Sequence, residues 1–212
     1  LTTLRTKWST YIDQQHRHPH GRIGQFIGER MRRQHMPETT WSIELLKLQP
    51  TDRILEIGFG AGRGLALALQ QSRHGHVTGL DLSSTMIHVA ARRNRAAYRS
   101  GHLTLLRGDI VALPFQHHRF DKIVSIHTFY FWPEPYARFG QILSVLRKGG
   151  RLVTTFATAR TLRSGKREYW PLHDQAQALV HDLQQHCDIQ AELVFGPDSR
   201  QFNNVAIVID KL

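Results

Sequence analysis

Apolar positions along this chain change their period repeatedly, and each change marks an element. Leu4, Trp8, Tyr11 and Ile12 fall at helical spacing, and after His18-Pro19-His20-Gly21 the spacing resumes with Ile23, Phe26, Ile27 and Met31, which predicts two short helices split by a turn. A third helix is expected after Pro37, with Trp41, Leu45 and Leu48 on one face, ended by Gln49-Pro50-Thr51-Asp52. From there the period alternates. Residues 53–58 (RILEIG) form a short apolar run bounded by turn residues, hence a buried strand, and the apolar stretch 65–69 beyond its glycines predicts a helix packed on a sheet. Residues 76–82 make a second strand, and Ser83 is placed to cap a helix whose Met86, Ile87, Ala90 and Ala97 face inward. Strands follow at 102–107 and 121–126, then a helix over 135–146 with Tyr136, Phe139, Leu143 and Leu146 on its buried side. Lys148-Gly149-Gly150 turns into a strand at 151–156, a basic loop spans 160–167, and a helix carries Leu172, Ala176, Leu179, Val180 and Leu183 in register. Strands at 189–195 and 202–209, joined through Gly196-Pro197-Asp198-Ser199, close the chain. Strands alternating with helices predict an α/β fold, a doubly wound and mostly parallel seven-stranded sheet whose last strand is antiparallel. The expected organisation is one domain over 1–212, with a helical cap over 1–50 and a sheet core over 51–212.

Composition narrows the class without changing that picture. The 212 residues are 41% apolar and 21% charged, ordinary globular material long enough to bury a core. The single Cys187 can form no internal disulfide and no Cys₄ or Cys₂His₂ metal site, which suits a reducing compartment. No apolar run reaches the roughly 18–20 residues of a membrane span, and Leu1-Thr2-Thr3-Leu4-Arg5 lacks the apolar core of a signal peptide, so a cytoplasmic location is expected. Lys and Arg number 28 against 17 acids, a net charge of +11, which raises the question of a polyanionic partner.

The chemistry concentrates at strand ends. Glu56-Ile57-Gly58-Phe59-Gly60-Ala61-Gly62-Arg63-Gly64 lies directly after the first strand and before a helix, where an open α/β sheet binds ligands. Glycines there let backbone approach a ligand, and the helix N-terminus offers N–H groups. Neither the phosphate-cradling G-x-x-x-x-G-K-[ST] nor the dinucleotide G-x-G-x-x-G fits any register of this turn. Its bland reading is a tight packing turn. Asp81 ends the second strand, where a carboxylate can accept both hydroxyls of a ribose or merely cap a helix, and Asp109 follows the third, where an acid can meet an adenine edge or merely stabilise a turn. Three such features on successive strand ends point to one crevice.

In order over residues 53–156, the segments ILEIGFGAGRG, VTGLDLS, LLRGDIVALPF, FDKIVSIHTFYFWPEP and LRKGGRLVTTF resemble the class I S-adenosylmethionine-dependent methyltransferases, within them the small bacterial ubiquinone/menaquinone-methyltransferase-like group. The resemblance implies a Rossmann-like methyltransferase fold and S-adenosyl-L-methionine as cofactor. It implies that Glu56 and the glycine turn (Gly58, Phe59, Gly60, Gly62) hold the methionine end, that Asp81 takes the ribose hydroxyls, that Asp109 with Ile110 holds the adenine, and that Leu82, Met86, Gly108 and Ser125 also bind the cofactor. It also implies that His127, after the fourth strand, lies near the transferred methyl.

Transfer from a sulfonium is an in-line displacement with an already activated leaving group, so alignment and exclusion of water dominate. One base near the methyl helps where the acceptor is a hydroxyl or protonated amine, and His127 is the candidate. Tyr130 and Trp132, among the aromatic residues 129–132, are candidates for the acceptor wall; packing the next helix is the alternative. Covalent pyrimidine-carbon methylation loses support because Cys187 lies far from the fourth strand, and adenine-amine methylation because Ser125-Ile126-His127-Thr128 stands where [DNS]-P-P-[YFW] would. No H-E-x-x-H or similar metal spacing occurs among the 14 histidines; His16-x-His18-x-His20 reads as a solvated turn. Basic residues gather on one helix stripe (His88, Arg92, Arg95, Arg99) and on the 160–167 loop (Arg160, Arg163, Lys166, Arg167). The leading expectation is a methyltransferase of a small molecule. The alternatives are an RNA or protein methyltransferase using the basic surface, and a cofactor-binding protein without catalysis.

Overall fold

The computed structural model describes residue 21, residues 35–199 and residues 202–212. The two N-terminal helices expected before residue 35, and the His16-x-His18-x-His20 turn, lie outside the described residues. The first described helix, α1 (Met36–Leu45), has Pro37 in its first turn, where a missing N–H costs nothing. Its buried face is not the apolar one expected: Glu38, Thr39, Ser42 and Ile43 point inward, while Trp41, Leu45 and Leu48 are only partly buried. Ser42 accounts for part of this, because its hydroxyl bonds Thr155 at 2.7 Å and the Glu38 carbonyl at 2.6 Å.

Strands β1 (Arg53–Ile57), β2 (His76–Asp81), β3 (Leu103–Arg107), β4 (Phe120–Ile126), β5 (Leu146–Thr161), β7 (Ile189–Ser199) and β8 (Phe202–Lys211) form one sheet in the order β3-β2-β1-β4-β5-β8-β7. The β1–β2, β2–β3, β1–β4 and β4–β5 pairs are parallel, and β8 runs antiparallel to both β5 and β7. Strand order reverses between β1 and β4, so the crevice at their carboxyl ends is open between diverging connections. Helices α2 (Arg63–Gln71), α3 (Ser84–Arg93), α4 (Arg95–Arg99), α5 (Pro135–Val145) and α6 (Pro171–His186) complete the doubly wound arrangement. Strand alternation splits the core: Leu55, Ile123, Leu152 and Phe156 pack with Phe139, Ile142 and Leu183, whereas Ile54, Val124 and Val153 pack with Ile43, Leu65 and Met86.

Four local expectations change. The basic loop over 160–167 is a hairpin, because β5 continues to Thr161 and returns through Gly165 as β6 (Arg167–Tyr169), with Arg160 facing Glu168 at 2.5 Å. The Lys148-Gly149-Gly150 turn is a bulge inside β5. The helix after β2 breaks at Asn94, whose amide reaches the carbonyls of Gly62 and Ala90, both at 3.1 Å, and so ties the helix to the glycine turn. Tyr136 is 42% exposed, and Ile142 takes the buried place beside Phe139 and Leu143. Among the described residues no helix is long and apolar enough to cross a membrane.

Candidate functional site

A cavity of about 470 Å³ opens at the carboxyl ends of β1, β2, β3 and β4. Its floor is the glycine turn. Gly60 takes a positive φ of 50°, and its N–H donates to Asp81 Oδ2 at 2.8 Å, so the turn is pinned to the end of β2. A side chain at Gly60 would meet nothing within 4 Å, since it would stand in the open cavity. Gly64 serves the opposite purpose: a Cβ there would lie 2.3 Å from Glu56 Oε1, so only glycine leaves room for that carboxyl beneath α2.

Glu56 and Asp81 are both buried, at 4% and 9% exposure, and differ in what they touch. Asp81 accepts Gly60 N–H through Oδ2 and Ser83 N–H at 2.8 Å through Oδ1, so its carboxylate is held at the end of β2 on the edge of the cavity. The helix cap beside it is Ser83, whose hydroxyl accepts Met86 N–H at 3.2 Å. Burial, with the Asp81 charge second, pushes the Glu56 carboxyl up to about 8 against the counter-effect of the Leu65 N–H. Glu56 Oε2 is buried with no hydrogen-bond partner among the described residues. A cationic group reaching it from the cavity supplies what it lacks, which is the chemistry of an α-ammonium. Asp109 Oδ1 accepts Val111 N–H at 3.2 Å and starts the short turn of helix Ile110–Ala112.

Of the residues expected at the site, Glu56, Gly58, Phe59, Gly60, Asp81, Leu82, Met86, Gly108, Asp109, Ile110, His127 and Trp132 line the cavity. Three do not. Gly62 caps α2 at φ 77° and faces Ala90 and Asn94. Ser125 is fully buried against the Thr128 hydroxyl. Tyr130 turns its hydroxyl inward to accept Ala157 N–H at 2.6 Å, and Phe131 lines the wall instead.

His127 follows β4 with φ 56°, its N–H donating to Thr155 O at 2.8 Å. Nδ1 lies 3.0 Å from the Tyr130 hydroxyl and Nε2 3.2 Å from Glu38 Oε1. Both ring nitrogens are engaged, so the direct proton acceptance expected of His127 is closed off in this arrangement. Glu38 is fully buried; burial alone raises a carboxyl, but hydrogen bonds from His127 and His35 outweigh it and hold Glu38 well below the usual carboxylate range. His35 Nδ1 approaches the same Oε1 at 2.6 Å, and its ring lines the cavity. His35 and Glu38 escape the sequence reading because no linear motif joins them to His127, 89 positions from Glu38. Folding brings donor atoms of His35, Glu38 and His127 within 4.8 Å of one another. The one available signal was a polar stripe, Glu38 and Ser42, four residues apart on a helix expected to pack.

A methyltransferase domain model matches residues 55–154. The chain is 30% identical over 115 residues to YdaC, an uncharacterized methyltransferase of Bacillus subtilis (strain 168), covering 54% of this chain and 61% of that one. It is 30% identical over 111 residues to the ubiquinone/menaquinone biosynthesis C-methyltransferase UbiE of Ruegeria sp. (strain TM1040), covering 52% and 44%. Residues 55–154 thus carry a methyltransferase domain similar to those of the S-adenosylmethionine-dependent methyltransferases. The fold of this chain agrees with that of geranyl diphosphate C-methyltransferase from Streptomyces coelicolor A3(2), solved with Mg²⁺, geranyl diphosphate and S-adenosyl-L-homocysteine, at a TM-score of 0.64 and 17% identity over 82% of this chain and 77% of that one. The chain spans about half the length of these curated relatives, between 44% and 61%.

Proposed function

We propose that this chain binds S-adenosyl-L-methionine in the cavity and transfers its methyl group to a small molecule with an apolar body. The observation that carries the reading is the composition of one enclosure. Its floor holds a buried carboxyl with one oxygen unpartnered among the described residues and an N–H-rich glycine turn, its side the ends of β2 and β3 with Asp81 and Asp109, and its wall His127, Phe131 and Trp132. The bound cofactor supplies a methyl group already activated on a sulfonium. Glu56 answers the ammonium of its methionine end. Asp81, fixed at the end of β2 by Gly60 N–H and Ser83 N–H, presents a carboxylate to the ribose hydroxyls, with Met86 and Leu82 lining the cavity beside it. Asp109 and Ile110 border the adenine. Trp132, 7% exposed and packed edge-on against Phe129 and Phe139, makes the acceptor wall rigid rather than adaptable.

The size fits a small-molecule site, for which cavities run roughly 300–1,000 Å³. Relatives named for quinone biosynthesis and for geranyl diphosphate methylation support an acceptor with a hydrocarbon body. The single half-buried thiol of Cys187 supports a reducing, cytoplasmic setting. Calorimetry with S-adenosyl-L-methionine, followed by incubation of the labelled cofactor with separated metabolite, RNA and protein fractions, tests the reading. Binding with label entering the metabolite fraction is expected. Label in RNA or protein overturns the acceptor class, and binding without transfer to any fraction overturns the activity.

A further inference from the structure

The bonds around Glu38 fix the position of every proton in the cluster. An ionised carboxylate only accepts, so His35 must carry hydrogen on Nδ1 and His127 on Nε2, the atoms 2.6 Å and 3.2 Å from Glu38 Oε1. Burial disfavours a second proton on His127, so its Nδ1 holds a lone pair. The Tyr130 oxygen already accepts Ala157 N–H, and its own hydrogen is therefore donated to His127 Nδ1, 3.0 Å away. From Ala157 through Tyr130 to His127 each ring nitrogen and hydroxyl of the run is engaged inside the protein, and the run ends on Glu38 Oε1. His35 differs. Its Nδ1–H is spent on Glu38, while Nε2, across the ring, has no hydrogen-bond partner among the described residues, and the ring stands on the cavity wall with its side chain 28% exposed.

We propose that His35, oriented by Glu38, is the catalytic residue that takes a proton from the methyl acceptor, with His127 and Tyr130 as positioning residues that hold Glu38 in place. The proposal rests on the methyltransferase reading above and narrows the acceptor to compounds whose reacting atom carries a proton, such as an alcohol, a phenol or an ammonium; an ionised carboxylate acceptor needs no such base. As the acceptor atom bonds to the methyl carbon, the sulfur–methyl bond breaks and its electron pair stays on sulfur. His35 Nε2 receives the acceptor's proton, from an ammonium before its nitrogen has a lone pair to attack with, and from an alcohol or phenol as the new bond forms. The imidazolium formed faces Glu38 at 2.6 Å, where the buried carboxylate balances its charge. The same buried carboxylate and flanking imidazole ring, 4.2 Å centroid to centroid, restrict His35 to one orientation.

Long-range proton–nitrogen NMR of wild-type protein carrying ¹⁵N-histidine, assigned with His35→Gln and His127→Gln, reads the tautomers without any acceptor. Expected are a His35 ring protonated on Nδ1 with Nε2 bare, a His127 ring protonated on Nε2, and loss of the His35 preference in Glu38→Gln. A His127 ring protonated on Nδ1, or a His35 ring with Nδ1 bare, as binding of an added divalent metal ion by the three side chains produces, overturns the assignment. The kinetic arm uses whichever fraction takes label from S-adenosyl-L-methionine. His35→Gln is expected to lower the rate by about 10²–10⁴-fold, the range of a positioned base, at unchanged cofactor affinity and at an assay temperature where the variant is shown to be folded. Wild-type turnover with His35→Gln within threefold of it overturns the role of His35 alone. Wild-type protein that labels no fraction overturns the methyltransferase reading and this role with it.

Discussion

Glu56 is a buried acid whose protonation the fold dictates, and its replacement by Gln isolates that effect. Burial and the neighbouring Asp81 charge raise its carboxyl from an ordinary 4.5 to about 8, and at about 1.4 kcal/mol per tenfold change in ionisation the rise is worth up to about 5 kcal/mol. Because the folded value lies above the unfolded one, the native state keeps a proton that the unfolded chain has released. The associated stability is complete below pH 4.5, falls as pH rises, and is gone above about 8. The Gln side chain has the same shape and no titration. Urea unfolding of wild type and Glu56→Gln is therefore expected to give nearly equal stabilities at pH 4.5, a variant ahead by about 3 kcal/mol at pH 7, and a lead of up to about 5 kcal/mol at pH 9. The 14 histidines and all other titrating groups are common to both proteins and cancel in the difference. A difference of the same size at every pH refutes the argument. The same carboxyl links to function: a cofactor ammonium at Glu56 favours the charged form, so binding at pH 7 releases close to one proton in wild type and none in the variant. Calorimetry in two buffers of different ionisation enthalpy measures that number, and equal release by both proteins removes Glu56 from the methionine end.

Asp81→Ala strips the acceptor from Gly60 N–H and Ser83 N–H and should cost about 1–3 kcal/mol of stability together with a loss of S-adenosyl-L-methionine affinity by calorimetry; unchanged affinity removes the ribose assignment. Gly64→Ala places a methyl 2.3 Å from Glu56 Oε1 and is expected to destabilise by about 1–3 kcal/mol in thermal or chemical unfolding, whereas a neutral result shows that α2 shifts freely away from β1. Acceptor binding that stays flat between 50 and 200 mM salt is expected of a small molecule, while a steep decline is the mark of phosphate neutralisation and favours RNA on the exposed His88, Arg92, Arg95 and Arg99 stripe.

The sheet was legible because it is redundantly written. The first three parallel strands read as apolar runs closed by glycine or acid, and helical periods separate the strands, so a misread boundary leaves topology untouched. The errors fall where tertiary contacts override local signals. Lys148-Gly149-Gly150 has turn composition, but pairing of Leu146 with Phe120 starts β5 ahead of it and absorbs the extra residues as a bulge. Gly165 and the charge pair of Arg160 with Glu168 make a hairpin from a segment whose net charge suggested a loop. Tyr136 shares the helical spacing of Phe139 and Leu143, yet in the first turn of α5 it stays exposed.

The two halves of the site differ in legibility for one physical reason. The half proposed for the cofactor is built from strand ends, where chain direction and strand order fix position, so Glu56, Asp81 and Asp109 can be placed by counting residues. The half proposed for the acceptor includes His35 and Thr39, from α1 and the residue before it, outside that repeat. Its inward Glu38, Thr39 and Ser42 break the rule that a packed helix face is apolar, and the breach is tolerable only because Thr155, His127 and His35 answer them. A polar stripe on a helix that must be buried is thus itself a signal that another part of the chain supplies its partners. The family resemblance points to His127, which lines the cavity wall, but Glu38 and Tyr130 engage both of its ring nitrogens, and the imidazole nitrogen with no hydrogen-bond partner among the described residues is Nε2 of His35. On the proposal above, the element outside the sheet, and not the strand end, carries the histidine that moves a proton.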